Sequence, residues 1–215
     1  MSLNRACRRI GARVPTGPTL VPTPRGRLIA VEGPIGAGKT TLTQRLAERL
    51  GCALVLEPVE ENAFLNRFYE DPRALAFRTQ LFFLVNRFHQ QRQIEDLVAA
   101  GGDVVTDYAL WKDRLFARLN LATDELALYE EVYDLIAPRA PRPDVLALLR
   151  CDLDTLLARI RGRDRPFERP LTRGYLGRVI DAYEDMAGEA TVVLDGEQEV
   201  DELVRGVEDA LGSAK

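Results

Sequence analysis

Leu28-Ile29-Ala30-Val31-Glu32-Gly33-Pro34-Ile35-Gly36-Ala37-Gly38-Lys39-Thr40-Thr41 decides how the rest of the chain is read. The apolar run Leu28–Val31 predicts a buried strand. From Gly33 the stretch fits G-x-x-x-x-G-K-[ST], the P-loop pattern, and a helix from about Thr40 to Leu50 follows. Each residue type has a physical reason. Glycines let the main chain wrap a phosphate with several N–H groups pointing inward. The helix N-terminus adds its partial positive charge. Lys39 has the length to reach β- and γ-phosphates, and the Thr40 hydroxyl suits Mg²⁺. The candidate nucleotide-binding residues are therefore Gly33, Gly36, Ala37, Gly38, Lys39, Thr40 and Thr41. A glycine-rich turn that binds nothing is the bland alternative, but this one sits in the strand–loop–helix context the motif requires. It points to a nucleoside-triphosphate site and leaves the acceptor open.

Outward from that loop, short apolar runs alternate with helical patterns. Further strands are expected at Ala53–Leu56, Val104–Thr106, Val145–Leu149 and Thr191–Leu194. A long helix follows Pro72, with Leu75, Phe82, Val85, Ile94 and Leu97 at helical spacings. Others cover about Lys112–Leu121, Asp124–Ala137, Leu171–Met186 and Val200–Leu211, and Asp152 is placed to cap one with Leu153, Leu156, Leu157 and Ile160 on a face. Continuous apolar strands alternating with helices predict an α/β fold, a three-layer sandwich with a five-stranded parallel sheet covered on both faces. One domain, 27–215, is expected after a flexible leader, 1–26.

Composition narrows the function. The 215 residues carry a net charge of −4, with 46% apolar and 29% charged residues, and no apolar stretch suits a membrane span. Residues 1–31 contain six arginines and no acid, whereas 32–215 hold 23 basic and 33 acidic residues. A body that acidic is a poor non-specific nucleic-acid binder. Leu3, Cys7, Ile10 and Val14 share a helical face in the Arg-rich leader, which reads as an organelle transit peptide or as a disordered extension. No signal-peptide core is present, and a cytoplasmic location is expected. Three scattered cysteines and one histidine, His89, disfavour a disulfide framework, a multi-histidine zinc site or a Ser-His-Asp triad. Lysine occurs only at 39, 112 and 215, against 26 arginines.

Two carboxylates close neighbouring strands. Asp107 follows Val104-Val105-Thr106, and Glu57 follows the Ala53–Leu56 run. Both should reach the carboxyl edge of the sheet beside the P-loop, where open parallel sheets bind ligands. One would serve Mg²⁺ (Thr40 with Asp107) and one would accept a hydroxyl proton from the acceptor. Arg159-Ile160-Arg161-Gly162-Arg163-Asp164-Arg165-Pro166-Phe167-Glu168-Arg169 holds five arginines broken by glycine and proline. It reads as a cationic lid over transferring phosphates, or as a solvated basic face or a nucleic-acid patch.

Taken together, Arg27 to Met186 resembles the deoxynucleoside kinase family of P-loop phosphotransferases. The resemblance implies that Glu57 of Glu57-Pro58 is the catalytic base. It implies that Tyr69, Asp71-Pro72 and Gln80 form the sugar and base pocket, with Glu168 on the 3′-hydroxyl. Lys39, Arg163 and Arg165 would act on the phosphoryl group, and Arg159 on the nucleotide. Tyr175-Leu176 keeps the family spacing after Glu168. Arg87 lies seven residues beyond Gln80 on nearly the same helix face. In family members taking cytidine or purine nucleosides an arginine there pairs with an aspartate, and Asp113 is the candidate. The implied activity is transfer of the ATP γ-phosphate, with Mg²⁺, to the 5′-hydroxyl of a purine deoxynucleoside or deoxycytidine rather than thymidine. A homodimer is implied by the same resemblance.

Three departures qualify the match. The family's Glu/Asp-Arg-Ser reads Asp107-Tyr108-Ala109, so the arginine's role falls to Lys112 or to a lid arginine. The stretch Asp107–Phe116 is one residue shorter than the family pattern. Asn62 stands near a position that often holds tryptophan. The nearest rival function is a thymidylate-type monophosphate kinase, disfavoured by the missing cation after Asp107. A nucleotide-dependent regulatory module, which would have no small acceptor, is disfavoured by the Tyr69/Gln80/Arg87 set.

Overall fold

The computed structural model describes residues 25–59, 62, 64–68 and 72–213. The leader up to residue 24 and Tyr69 lie outside the described residues. Arg25 and Gly26, assigned to the leader by composition, are tied to the body. Arg25 pairs with Asp144 at 3.0 Å, and the Gly26 N–H donates to the Val98 carbonyl at 2.9 Å.

Five parallel strands form one sheet in the order β2-β3-β1-β4-β5: β1 (Leu28–Glu32), β2 (Ala53–Val55), β3 (Val104–Thr106), β4 (Val145–Arg150) and β5 (Val192–Asp195). Register pairs Leu28 with Val104 and Ile29 with Val145. Period-two alternation divides the strand residues between two cores. Ile29, Val31, Val105, Val145, Ala147 and Leu149 face α1 (Lys39–Leu50), α6 (Leu153–Arg163) and α8 (Val200–Ser213). Leu28 and Val104 face Ile94 and Val98 of α3 (Pro72–Ala99), while Leu148 meets Leu115 of α4 (Trp111–Asn120) and Val179 of α7 (Arg173–Asp185). A short α2 (Leu65–Phe68) and α5 (Thr123–Ile136) complete the set. Leu42 and Leu46 of α1 are fully buried at an i, i+4 spacing, each contributing roughly 1.5–3 kcal/mol. Among the described residues no helix is long and apolar enough to cross a membrane.

Two expectations need correction. Val85 and Leu97, read as part of the apolar pattern of α3, stand 46% and 42% exposed. The inward stripe is Leu75, Thr79, Gln80, Leu84, Arg87, Gln91, Ile94 and Val98, so the helix buries polar groups along its middle. Asp152 does occupy the N-cap of α6, but its side chain makes no capping bond; its N–H instead donates to Glu197 Oε1 at 2.8 Å.

Candidate active site

The loop between β1 and α1 takes a conformation that glycine makes accessible. Gly33, Gly36 and Gly38 have φ of +150°, +93° and +98°. A Cβ on Gly33 would stand 2.7 Å from the Leu149 carbonyl oxygen. Lys39 Nζ donates to the Gly33 and Pro34 carbonyls at 2.7 and 2.9 Å, and burial, then the charge of Lys112, pulls its pKa down to about 8. Arg159 braces the loop from outside, its Nη1 donating to the Ala37 carbonyl at 3.2 Å and to Gly196 at 2.9 Å. Ala37 is buried beneath it, and Thr41 points to solvent at the first turn of α1.

Asp107, just past β3, links the loop to the next strand. Its Oδ2 accepts from Thr40 Oγ1 at 2.9 Å, and its Oδ1 accepts from the Glu57 N–H at 2.8 Å. Two hard oxygen donors beside Lys39 fit Mg²⁺, which takes few protein ligands and fills its shell with water and phosphate oxygens. No cluster of three or more His, Cys, Asp or Glu suited to a metal occurs among the described residues.

Glu57 sits past β2 with its carboxylate between two cations. Arg87 Nη2 donates to Oε1, and Lys112 Nζ donates to Oε2 at 2.6 Å. Burial alone would raise its pKa, but the charges of Arg87 and then Lys112 hold it well below the usual carboxylate range. Arg87 Nη1 binds Asp113 Oδ1, so one guanidinium bridges two buried carboxylates. Its plane lies 4.7 Å from the Phe83 ring centroid. Asp113 has no exposed surface, and burial pushes its carboxyl up to about 7 in spite of Arg87. Gln80 is 3% exposed, and its Oε1 has no partner among the described residues.

Lys39, Thr40, Asp107, Glu57, Gln80 and Arg87 line one cleft. Arg163, Arg165 and Glu168 line it from the opposite wall. Arg163 makes two bonds to Glu168, at 2.6 and 2.5 Å, and Arg165 stacks over Phe167. Gly33, Ala37, Gly38, Thr41, Arg159 and Asp113 do not line it.

Sequence reasoning missed Glu32. It ends β1 fully buried, and its Oε1 accepts from the Ala109 N–H at 2.6 Å. Its Oε2 accepts from Tyr183 Oη at 3.0 Å and from the Gly33 N–H at 3.3 Å. Burial raises its pKa, opposed by Lys112 and Lys39. The available signal was an acid closing an otherwise apolar strand, one residue before the first glycine. Asn62 is also buried; its Oδ1 accepts from the Phe64 N–H at 2.9 Å, so it shapes the loop into α2.

Residues 29–210 match the family model for deoxynucleoside kinase. The chain belongs to that family. A deoxyguanosine kinase of Bacillus subtilis (strain 168) is 38% identical over 157 residues, covering 73% of this chain and 76% of the relative. A deoxyadenosine/deoxycytidine kinase of the same strain is 35% identical over 170 residues, covering 75% and 77%. The structure of deoxyadenosine kinase from M. mycoides with products dCMP and a flexible dCDP bound superposes with a TM-score of 0.78 at 26% identity, covering 86% of this chain and 99% of that one. The chain thus belongs to a family of kinases acting on deoxynucleosides.

Proposed function

We propose that the protein transfers the γ-phosphate of ATP to the 5′-hydroxyl of a purine deoxynucleoside or deoxycytidine, with Mg²⁺ held by Thr40 and Asp107. The observation that carries this reading is the bridge Glu57–Arg87–Asp113, set in the same cleft as Lys39 and Thr40. It puts a carboxylate for the acceptor hydroxyl and polar groups for a base beside the phosphate loop. A Mg²⁺ held by Thr40 and Asp107 would supply charge neutralisation on the donor phosphates. Lys39 and the main-chain N–H groups of the loop orient the donor, and Arg163 and Arg165 stabilise the transferring group from the lid. Glu57 orients the 5′-hydroxyl and takes its proton. A weakly basic carboxylate suffices, because a loose phosphoryl-transfer transition state releases that proton late and relies on positioning.

Gln80, with a donor and an acceptor side by side, and Arg87, fixed by Asp113, read the base edge. Tyr69 and Glu168 hold the 3′-hydroxyl. The Arg87–Asp113 pair is the kind that family members taking cytidine or purine nucleosides carry, and it supports those bases over thymidine. Val85 on α3 and Leu128 and Leu135 on α5 stand 46%, 52% and 66% exposed on two helices that pack together, which supports a homodimer through that face.

The test is a competition assay in which all four deoxynucleosides share one pool of ATP and Mg²⁺. Phosphorylation of deoxyguanosine, deoxyadenosine or deoxycytidine ahead of thymidine is expected; preference for thymidine overturns the reading of Arg87. Faster phosphorylation of the monophosphates than of the nucleosides overturns the hydroxyl acceptor.

A further inference from the structure

The stretch Asp107-Tyr108-Ala109 lacks the cation that the resemblance placed beside the acceptor, and two candidates stood for its role: Lys112 and a lid arginine. The structure separates them. Position 108 does not face the cleft. Tyr108 is fully buried against Leu28, Ile94, Val98 and Val104, with the Arg87 guanidinium 5.8 Å from its ring centroid, so an arginine there would bury a second like charge beside Arg87. Among the described residues no lid arginine pairs with Glu57; Arg163 bonds Glu168, and Arg165 lies over Phe167. Lys112, in the first turn of α4, is 7% exposed, lines the cleft, and places Nζ 2.6 Å from Glu57 Oε2.

We propose that Lys112 is the positioning residue for Glu57, fixing from α4 the carboxylate oxygen that Arg87 leaves free. The inference rests on Glu57 as the base. Its geometry comes from two sides. Arg87, from α3, holds Oε1, and Lys112 holds Oε2, so the carboxylate cannot rotate about its terminal bond without breaking one charge-assisted bond. The main chain below Lys112 is itself braced. Its N–H donates to the Ala109 carbonyl at 3.2 Å, and the Ala109 N–H is anchored on Glu32 at the end of β1. The phosphate loop and the cation that aims Glu57 therefore share one anchor. A burial this deep is costly for an ammonium unless its partner is in place. That explains why one of only two internal lysines stands here in a chain that otherwise uses arginine: a compact charge on a flexible stem reaches Oε2 without the planar fork that already occupies Oε1.

The test measures kcat and KM for the preferred deoxynucleoside in Lys112→Met, Lys112→Arg, Lys112→Ala and Glu57→Gln. Lys112→Met is expected to lose about 10²-fold in kcat, the scale set by misplacing a reacting group by ~1 Å. KM should change by less than about threefold, because the residue aims the base rather than binding substrate. Lys112→Arg should recover at least part of kcat, and ethylammonium should rescue Lys112→Ala saturably where tetramethylammonium does not. Titration with a fluorescent ATP analogue reports whether each variant keeps its nucleotide site. If Lys112→Met loses that site, Lys112→Gln, which retains a hydrogen bond but no charge, carries the same decision. An inactive Glu57→Gln beside a fully active Lys112→Met overturns the role of Lys112 alone, as does loss of kcat with no rescue by arginine or amine. Turnover surviving in Glu57→Gln overturns the base assignment first, and Lys112 with it.

Discussion

Arg87→Met removes the one cation shared by two buried carboxylates, and its consequences can be worked through. Arg87 is 4% exposed; Asp113 is wholly buried, with Oδ1 on Arg87 and no partner for Oδ2 among the described residues. Glu57 keeps Lys112 on its other oxygen, so Asp113 bears most of the loss. Breaking a buried pair from one side costs about 3–5 kcal/mol. For a domain of this size that corresponds to a fall in Tm of roughly 6–20 °C. The sign with pH follows from Asp113. Its folded-state pKa is already pushed up to about 7 and rises further once the cation is gone, whereas unfolded it is near ~3.9. A raised carboxyl stabilises the folded state at low pH, and that contribution is lost as pH rises through the folded value. Between about pH 4 and pH 7 both proteins lose stability in parallel; above that only the variant continues, by at most about 1.4 kcal/mol per pH unit. Calorimetric unfolding near pH 6 and near pH 8.5 should therefore show the deficit widening with pH. Adding Asp113→Asn to the variant should recover part of the loss at the higher pH and flatten its dependence. A deficit below ~1 kcal/mol, or one that neither pH nor Asp113→Asn alters, refutes the bridge as described.

Further consequences can be checked separately. Gly33→Ala forces a Cβ to 2.7 Å from the Leu149 carbonyl at a φ of +150° and should cost about 1–3 kcal/mol together with nucleotide affinity; melting and ATP titration that match the native protein would refute it. Leu46→Ala opens the core beneath α1 and should lower stability by about 2–5 kcal/mol in denaturant unfolding while leaving KM unchanged. Leu128→Glu with Leu135→Glu should convert the proposed dimer to a monomer in light scattering; an unaltered mass refutes a dimer through that face.

The phosphate loop, the sheet and both strand-end acids were legible because their signals are local: glycine spacing, apolar runs and a carboxylate at the point where a run stops. Arg87 and Asp113 were legible only as helix spacing and family resemblance together. The inner face of α3 was not, because hydrophobic periodicity assumes that buried means apolar. This helix inverts that assumption at Thr79, Gln80, Arg87 and Gln91, where the site needs polar groups. Val85 and Leu97 were misplaced for the same reason. Glu32 escaped because its partners, Ala109 and Tyr183, are 77 and 151 residues away, and no local pattern encodes contacts so distant.

The strand order has a consequence for how the molecule comes into being. The phosphate loop follows β1, the first strand among the described residues, yet β1 is central and borders β3 and β4, with Leu28 beside Val104 and Ile29 beside Val145. β1 therefore gains its first neighbour only with Val104–Thr106 and its second only with Val145–Arg150. The sheet around the phosphate loop is complete only once β4 has been made, since non-local pairing must wait for its partners.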